Sequence, residues 1–89
     1  MKRARGHFTI KNELGLHFRA AAMVVRTLSR FRSRVTISNG ETCADARSVL
    51  ELITLAAAPG TRVTVEAEGD DASEAVEAIG NLIARDFAE

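Results

Sequence analysis

Apolar and polar residues repeat along this chain with two different periods, and each change of period marks a new element. Phe8 to Ile10 alternate as a short first strand, with His7 at its edge. After the polar turn Lys11-Asn12-Glu13, the positions Ala21, Val24, Val25 and Leu28 recur at helical spacing, which predicts a helix over Ala20–Phe31 with Arg26 and Arg30 on its solvent side. Val35 and Ile37 alternate with Thr36 and Ser38, and Asn39-Gly40 is a strong hairpin signal. Strands over Arg34–Ser38 and Glu41–Ala44 should therefore pair antiparallel, with Cys43 packed as a small hydrophobe.

Asp45-Ala46-Arg47-Ser48 introduces a second helix, Val49 to Ala57, closed by Pro59-Gly60. Val49, Leu52, Ile53 and Ala56 share one arc of it, and Leu50 projects outside that arc. Such apolar surface suits a docking partner, or a neighbouring loop that covers it. Val63, Val65 and Ala67 form the inward side of a fourth strand. A third helix follows, carrying Ala72, Ala75, Val76, Ile79, Leu82 and Ile83 on one face, and Asp71 with Glu74 imitates a capping box at its start. The order is strand, helix, strand, strand, helix, strand, helix. Four half-buried strands need one covered face and three amphipathic helices can cover it, so the fold class is α+β, a sandwich open on one side. These patterns leave the strand order open.

Eighty-nine residues without repeats or linkers predict one domain over 1–89, with a core that buries roughly two thirds of the unfolded chain's surface. Apolar residues are 46% of the total and charged residues 27%, too apolar for disorder. No apolar run reaches the roughly 18 residues of a membrane span, and Met1-Lys2-Arg3-Ala4-Arg5 leads into no signal-peptide core, so the expected location is cytoplasmic. One cysteine excludes an intrachain disulfide and a cysteine-based zinc cluster.

The formal charge is zero, but it is unevenly spread. Nine Lys/Arg stand against Glu13 alone up to Arg34, and eleven acids stand against Arg47, Arg62 and Arg85 beyond it. The basic half can steer an acidic partner. Its cations are not interleaved with aromatics, which argues against nucleic acid.

No Walker-type loop, His-x-x-x-His pair or Gly-x-Ser-x-Gly elbow occurs. His7 and His17 lie ten residues apart on different elements, so no metal site is expected. His17 falls where a loop enters a helix. The absence of Ser, Thr, Asp or Asn there predicts first-turn amides without a side-chain acceptor, free to meet an anion carried on or beside His17. Imidazole is both nucleophile and leaving group, and Arg19 stands two residues on.

Gly15-Leu16-His17-Phe18-Arg19-Ala20-Ala21 resembles the Gly-[Ile/Leu/Met]-His-Ala-Arg-Pro-Ala signature of the HPr family, the histidine-containing phosphocarriers of the bacterial phosphotransferase system, and of its nitrogen-related paralogue. Ser48-Val49-Leu50 and Val63-Thr64-Val65-Glu66-Ala67-Glu68-Gly69 are similar to later segments of the same family. The resemblance implies an open-faced β-sandwich of order βαββαβα, with a four-stranded antiparallel sheet and three helices on one face. It implies a stoichiometric carrier that needs no cofactor. His17 would take a phosphoryl group on Nδ1 from enzyme I and pass it to an EIIA-type acceptor, with Arg19 as the matching active-site arginine. Docking would use Ala22, Met23 and Arg26 on the first helix and Val49, Leu50, Ile53 and Thr54 on the second. Ser48 matches the serine that an HPr kinase/phosphorylase modifies in some bacteria, and the expected state is monomeric.

Three departures bear on this. Ala20 replaces the family's proline, which predicts a less rigid loop. Phe18 replaces a small residue, to shield the ring or narrow partner choice. Glu51 stands where the carbohydrate-type proteins often have Gly. A regulatory interaction module of the same fold, no longer relaying phosphate, is the alternative these departures motivate.

Overall fold

Seven elements follow one another in the expected order in the computed structural model, which describes residues 2–55 and 57–88. They are β1 (Arg3–Thr9), α1 (Phe18–Leu28), β2 (Arg34–Ser38), β3 (Cys43–Asp45), α2 (Val49–Thr54), β4 (Arg62–Glu68) and α3 (Ala72–Ala84). The sheet order is β1-β4-β2-β3 with every neighbour antiparallel; α3 packs on β1, β4 and β2, α2 on β3, and α1 against α2 and α3. Val35, Ile37, Ala44, Val63, Val65 and Ala67 are buried. All six apolar positions expected on the inner face of α3 are buried as well.

β1 begins five residues before the expected Phe8, and Ile10 is buried just beyond its end. Ala4, Gly6 and Phe8 turn partly inward, while Arg3, Arg5 and His7 face out. Only pairing with β4 reveals this, because the exposed positions then lie opposite Glu68, Glu66 and Thr64. Arg3 and Arg5 form ion pairs with Glu68 and Glu66 at 2.8 and 3.0 Å, and His7 Nδ1 lies 3.0 Å from Thr64 Oγ1. Exposed pairs of this kind contribute about 0.2–1 kcal/mol each, so they set register more than stability. They also join the basic start of the chain to its acidic second half. Phe8 reaches α3 because Gly80 has no side chain, and a Cβ there would stand 2.5 Å from the Phe8 ring.

The hairpin after β2 is longer than a two-residue turn. Ser38 pairs with Cys43, and Asn39 Oδ1 accepts the N–H groups of Glu41 and Thr42 across the loop. This shifts β3 to Cys43–Asp45 and leaves Cys43 exposed, with Ala44 turned inward in its place. The expected burial of Cys43 is thus reversed, since a strand's two faces exchange with each residue of slip. α2 is six residues long and ends at Thr54; Ala56, expected on its inner arc, lies outside the described residues.

α1 ends at Leu28, earlier than Phe31. The Arg47 guanidinium donates to the carbonyl of Leu28, the last residue of the helix, and to those of Phe31 and Ser33 in the segment beyond it, at 2.8–3.0 Å. Phe31 then lies past the helix, under Arg30, whose Cζ is 5.5 Å from the ring centroid.

Asp71 grips the same loop from the other side. The expected capping box is absent: Asp71 makes no side-chain bond to its own helix. Its carboxylate accepts the N–H groups of Arg32 and Ser33, each at 2.9 Å, and the Ser33 hydroxyl. The Ser33 hydroxyl foremost, and then the Arg32 amide, hold this carboxyl below the usual carboxylate range. Its stabilising effect is complete above the unfolded pKa near about 3.9 and is lost as pH falls through the depressed folded value. Asp71→Asn should therefore lower the urea midpoint at neutral pH and flatten the acid limb of the stability profile. A deficit equally large at about pH 7 and about pH 2 would show that ionisation of Asp71 does not matter.

Candidate functional site

The loop before α1 is built to a narrow specification. Asn12 turns it, with its carbonyl accepting the Gly15 N–H at 3.0 Å and its side-chain Nδ2 donating to the Gly15 carbonyl at 2.8 Å. Gly15 adopts φ +65°, and a Cβ there would collide with the Ala57 carbonyl oxygen. That same carbonyl accepts the Leu16 N–H at 2.9 Å, and the Leu16 side chain is buried in the core. The backbone entering His17 is thereby fixed against the segment that follows α2.

His17 has extended backbone angles, φ −83° and ψ 179°, and serves as the N-cap of α1. Its carbonyl accepts the Ala21 N–H at 2.9 Å, the first bond of the helix. Its ring supplies what the expected Ser or Asp would have supplied: Nδ1 accepts the Arg19 N–H at 3.2 Å. The expectation that first-turn donors are all unoccupied is corrected for that one amide. Among the described residues the N–H groups of Phe18 and Ala20 have no acceptor. In the neutral ring this bond makes Nδ1 the unprotonated nitrogen and leaves the proton on Nε2. His17 as a residue is half-buried, and the Arg19 guanidinium makes no hydrogen bond or ion pair among the described residues, so it is free to close on an anion.

His7 is on an edge strand, paired with Thr64, and takes no part in the site. Among the described residues no group of three His, Cys, Asp or Glu could hold a metal ion.

Leu50 is 76% exposed on α2, which packs against α1. Ala22, Met23, Val49 and Ile53 are half-buried, and Arg26 and Thr54 are exposed. Phe18 is 67% exposed beside His17. Leu14, 73% exposed just before Gly15, is a residue that periodicity could not flag because it lies in a loop. Ser48 caps α2 by accepting the Glu51 N–H at 3.2 Å, and the Glu51 carboxylate turns back to accept the Asp45 N–H at 3.0 Å. Ser48-x-x-Glu51 has the spacing of a capping box, although the carboxylate chooses a different amide from the usual one.

Residues 4–85 match the family model described as the PTS HPr component phosphorylation site. The chain is 42% identical over 81 residues to the phosphocarrier protein HPr of Cupriavidus necator, covering 91% of each. It is 37% identical over 87 residues to the multiphosphoryl transfer protein of Haemophilus influenzae, covering 94% of this chain but only 17% of that protein's length. The crystal structure of HPr-C-His from Thermoanaerobacter tengcongensis superposes with a TM-score of 0.88 at 37% identity, covering 100% of this chain and 98% of the other.

The tightest steric demand in the loop is at Gly15. Gly15→Ala should cost about 1–3 kcal/mol in urea unfolding, through the positive φ and the collision with Ala57. It should also move the amide resonances of Leu16, His17 and Arg19. A variant with unchanged stability and spectrum would mean that the loop is not held in the way described.

Proposed function

The chain belongs to the HPr family of phosphotransferase-system phosphocarriers, and on that footing we propose that His17 accepts a phosphoryl group from phospho-enzyme I and passes it to an EIIA-type acceptor. Residues 1–89 act as one cytoplasmic, monomeric carrier unit rather than as a turnover enzyme. No helix among the described residues is long and apolar enough to cross a membrane.

What supports this reading is the imidazole at the helix start, with Nδ1 on the Arg19 amide and an Arg19 guanidinium that forms no ion pair among the described residues. The Nδ1 lone pair is the nucleophile. As it forms the new N–P bond, the donor's N–P bond breaks and its electron pair returns to the donor nitrogen; Nε2 keeps its proton throughout. The ring gives up the Arg19 N–H, and a phosphoryl oxygen takes its place as acceptor. The helix dipole and the Arg19 guanidinium then favour the added negative charge. Delivery to the acceptor reverses these steps, because imidazole leaves as readily as it attacks.

Docking uses Ala22, Met23 and Arg26 of α1 with Val49, Leu50, Ile53 and Thr54 of α2. Exposed Leu50 is the apolar anchor, and Arg26 gives the patch a sign that fits an acidic partner. Ser48 is the site of regulatory phosphorylation by an HPr kinase/phosphorylase. A phosphate there would add roughly two negative charges beside the patch, close to the Glu51 carboxylate, and oppose an acidic partner.

Incubation with cognate enzyme I and phosphoenolpyruvate should place one acid-labile phosphate on the wild type and none on His17→Ala. A wild type that stays unlabelled while His17→Ala still binds its partners would replace the relay with a purely regulatory role. Leu50→Asp should raise the KM for transfer from phospho-enzyme I roughly tenfold or more while the folded spectrum is kept. Equal KM values would remove Leu50 from the docking surface.

A further inference from the structure

Ala20 is the third residue of α1, and its backbone N–H is a donor that the family's proline lacks. The residue is 0% exposed, and its N–H has no acceptor among the described residues. A buried donor without a partner is uncommon and costs free energy unless something satisfies it. The neighbouring donor, Arg19 N–H, is held by His17 Nδ1, and the next, Ala21 N–H, is held by the His17 carbonyl. First-turn amides all point back toward the cap residue, so Ala20 N–H is directed to the end of the helix where the imidazole sits.

We infer that the backbone N–H of Ala20 is a phosphoryl-binding group, donating to an oxygen of the phosphate carried on His17 Nδ1. This rests on the phosphohistidine reading above. The ligand itself comes from the family's phosphorylation site and the nucleophilic ring, and the helix end only supplies the extra donor. When the phosphoryl group arrives, Arg19 N–H transfers from the ring nitrogen to the phosphate, and Ala20 N–H gains the acceptor it lacks at rest. The carried phosphate is bound more firmly than it would be by a chain with proline at this position. The carrier therefore holds its phosphoryl group longer and gives it up less readily.

Ala20→Pro deletes this single donor, and proline is accepted in the first turn of a helix because no helical carbonyl uses the missing N–H there. Both proteins are phosphorylated in two ways, by enzyme I with phosphoenolpyruvate and by potassium phosphoramidate, whose P–N bond breaks to release ammonia. The phospho-His17 half-life of Ala20→Pro should be shorter, and its exchange equilibrium with enzyme I shifted toward phospho-enzyme I, by about tenfold, the effect of one hydrogen bond to a charged group. In isotope-labelled wild type the Ala20 amide proton should move downfield on phosphorylation together with that of Arg19. This readout needs no variant to fold. An Ala20 amide that does not shift, or an unchanged half-life in a folded Ala20→Pro, overturns the inference. Labelling by phosphoramidate but not by enzyme I would count against the partner proposed above, while the amide shift would still decide the role of Ala20.

Discussion

The use of an imidazole as a helix cap is the constraint on which the rest depends. A cap must sit outside the helical conformation, present an acceptor to the first-turn amides and be held by backbone on both sides. His17 meets all three conditions, and the same conditions describe a good seat for a transferable anion. In the proposed relay the acceptor, a ring nitrogen in the resting protein, is replaced on loading by a phosphoryl oxygen two bonds further out. The start of α1 already faces the place where that charge would sit.

That arrangement is only as definite as the position of α1, which is pinned at both ends by groups from elsewhere in the chain. At its start, Gly15 and Leu16 rest on the Ala57 carbonyl. At its end, Arg47 takes three carbonyls, while Asp71 takes two amides and a hydroxyl of the loop leading into β2. The two charged residues divide the work by polarity, the cation serving acceptors and the anion serving donors. Between these ends, Ala20, Ala21, Val24 and Leu28 anchor the helix in the core. The exposed side of the molecule near His17 is thereby left free of structural duties. Phe18 and Leu14 are large apolar residues in solvent there, and Leu50 is exposed on α2; a fold gains nothing for its own stability by exposing them.

Much of this was legible along the chain. The helical period of α3 and the alternation of β2 and β4 are strong because each of their side chains has only two environments to choose between. The seven-residue stretch around His17 pointed to the proposed nucleophile and its arginine through its resemblance to a known family. Weak signals failed where pairing or caps decide. β1 reads poorly because its inner positions are Ala4 and Gly6, small residues whose burial comes from Phe8 and α3 beside them. Cys43 changed face because the Asn39 side chain builds a longer turn than Asn-Gly by itself implies. Asp71 looked like a local cap but binds a loop some forty residues earlier in the chain.

Local pattern settled the order of elements, which faces are apolar and the fold class, and it singled out the candidate histidine, since periodicity and short motifs are local properties. Tertiary structure alone decided the strand order, the grip on both ends of α1 and which amide His17 occupies. Those depend on distant carbonyls, carboxylates and side chains meeting in space, and no local pattern records which of several equivalent donors or acceptors a residue will find.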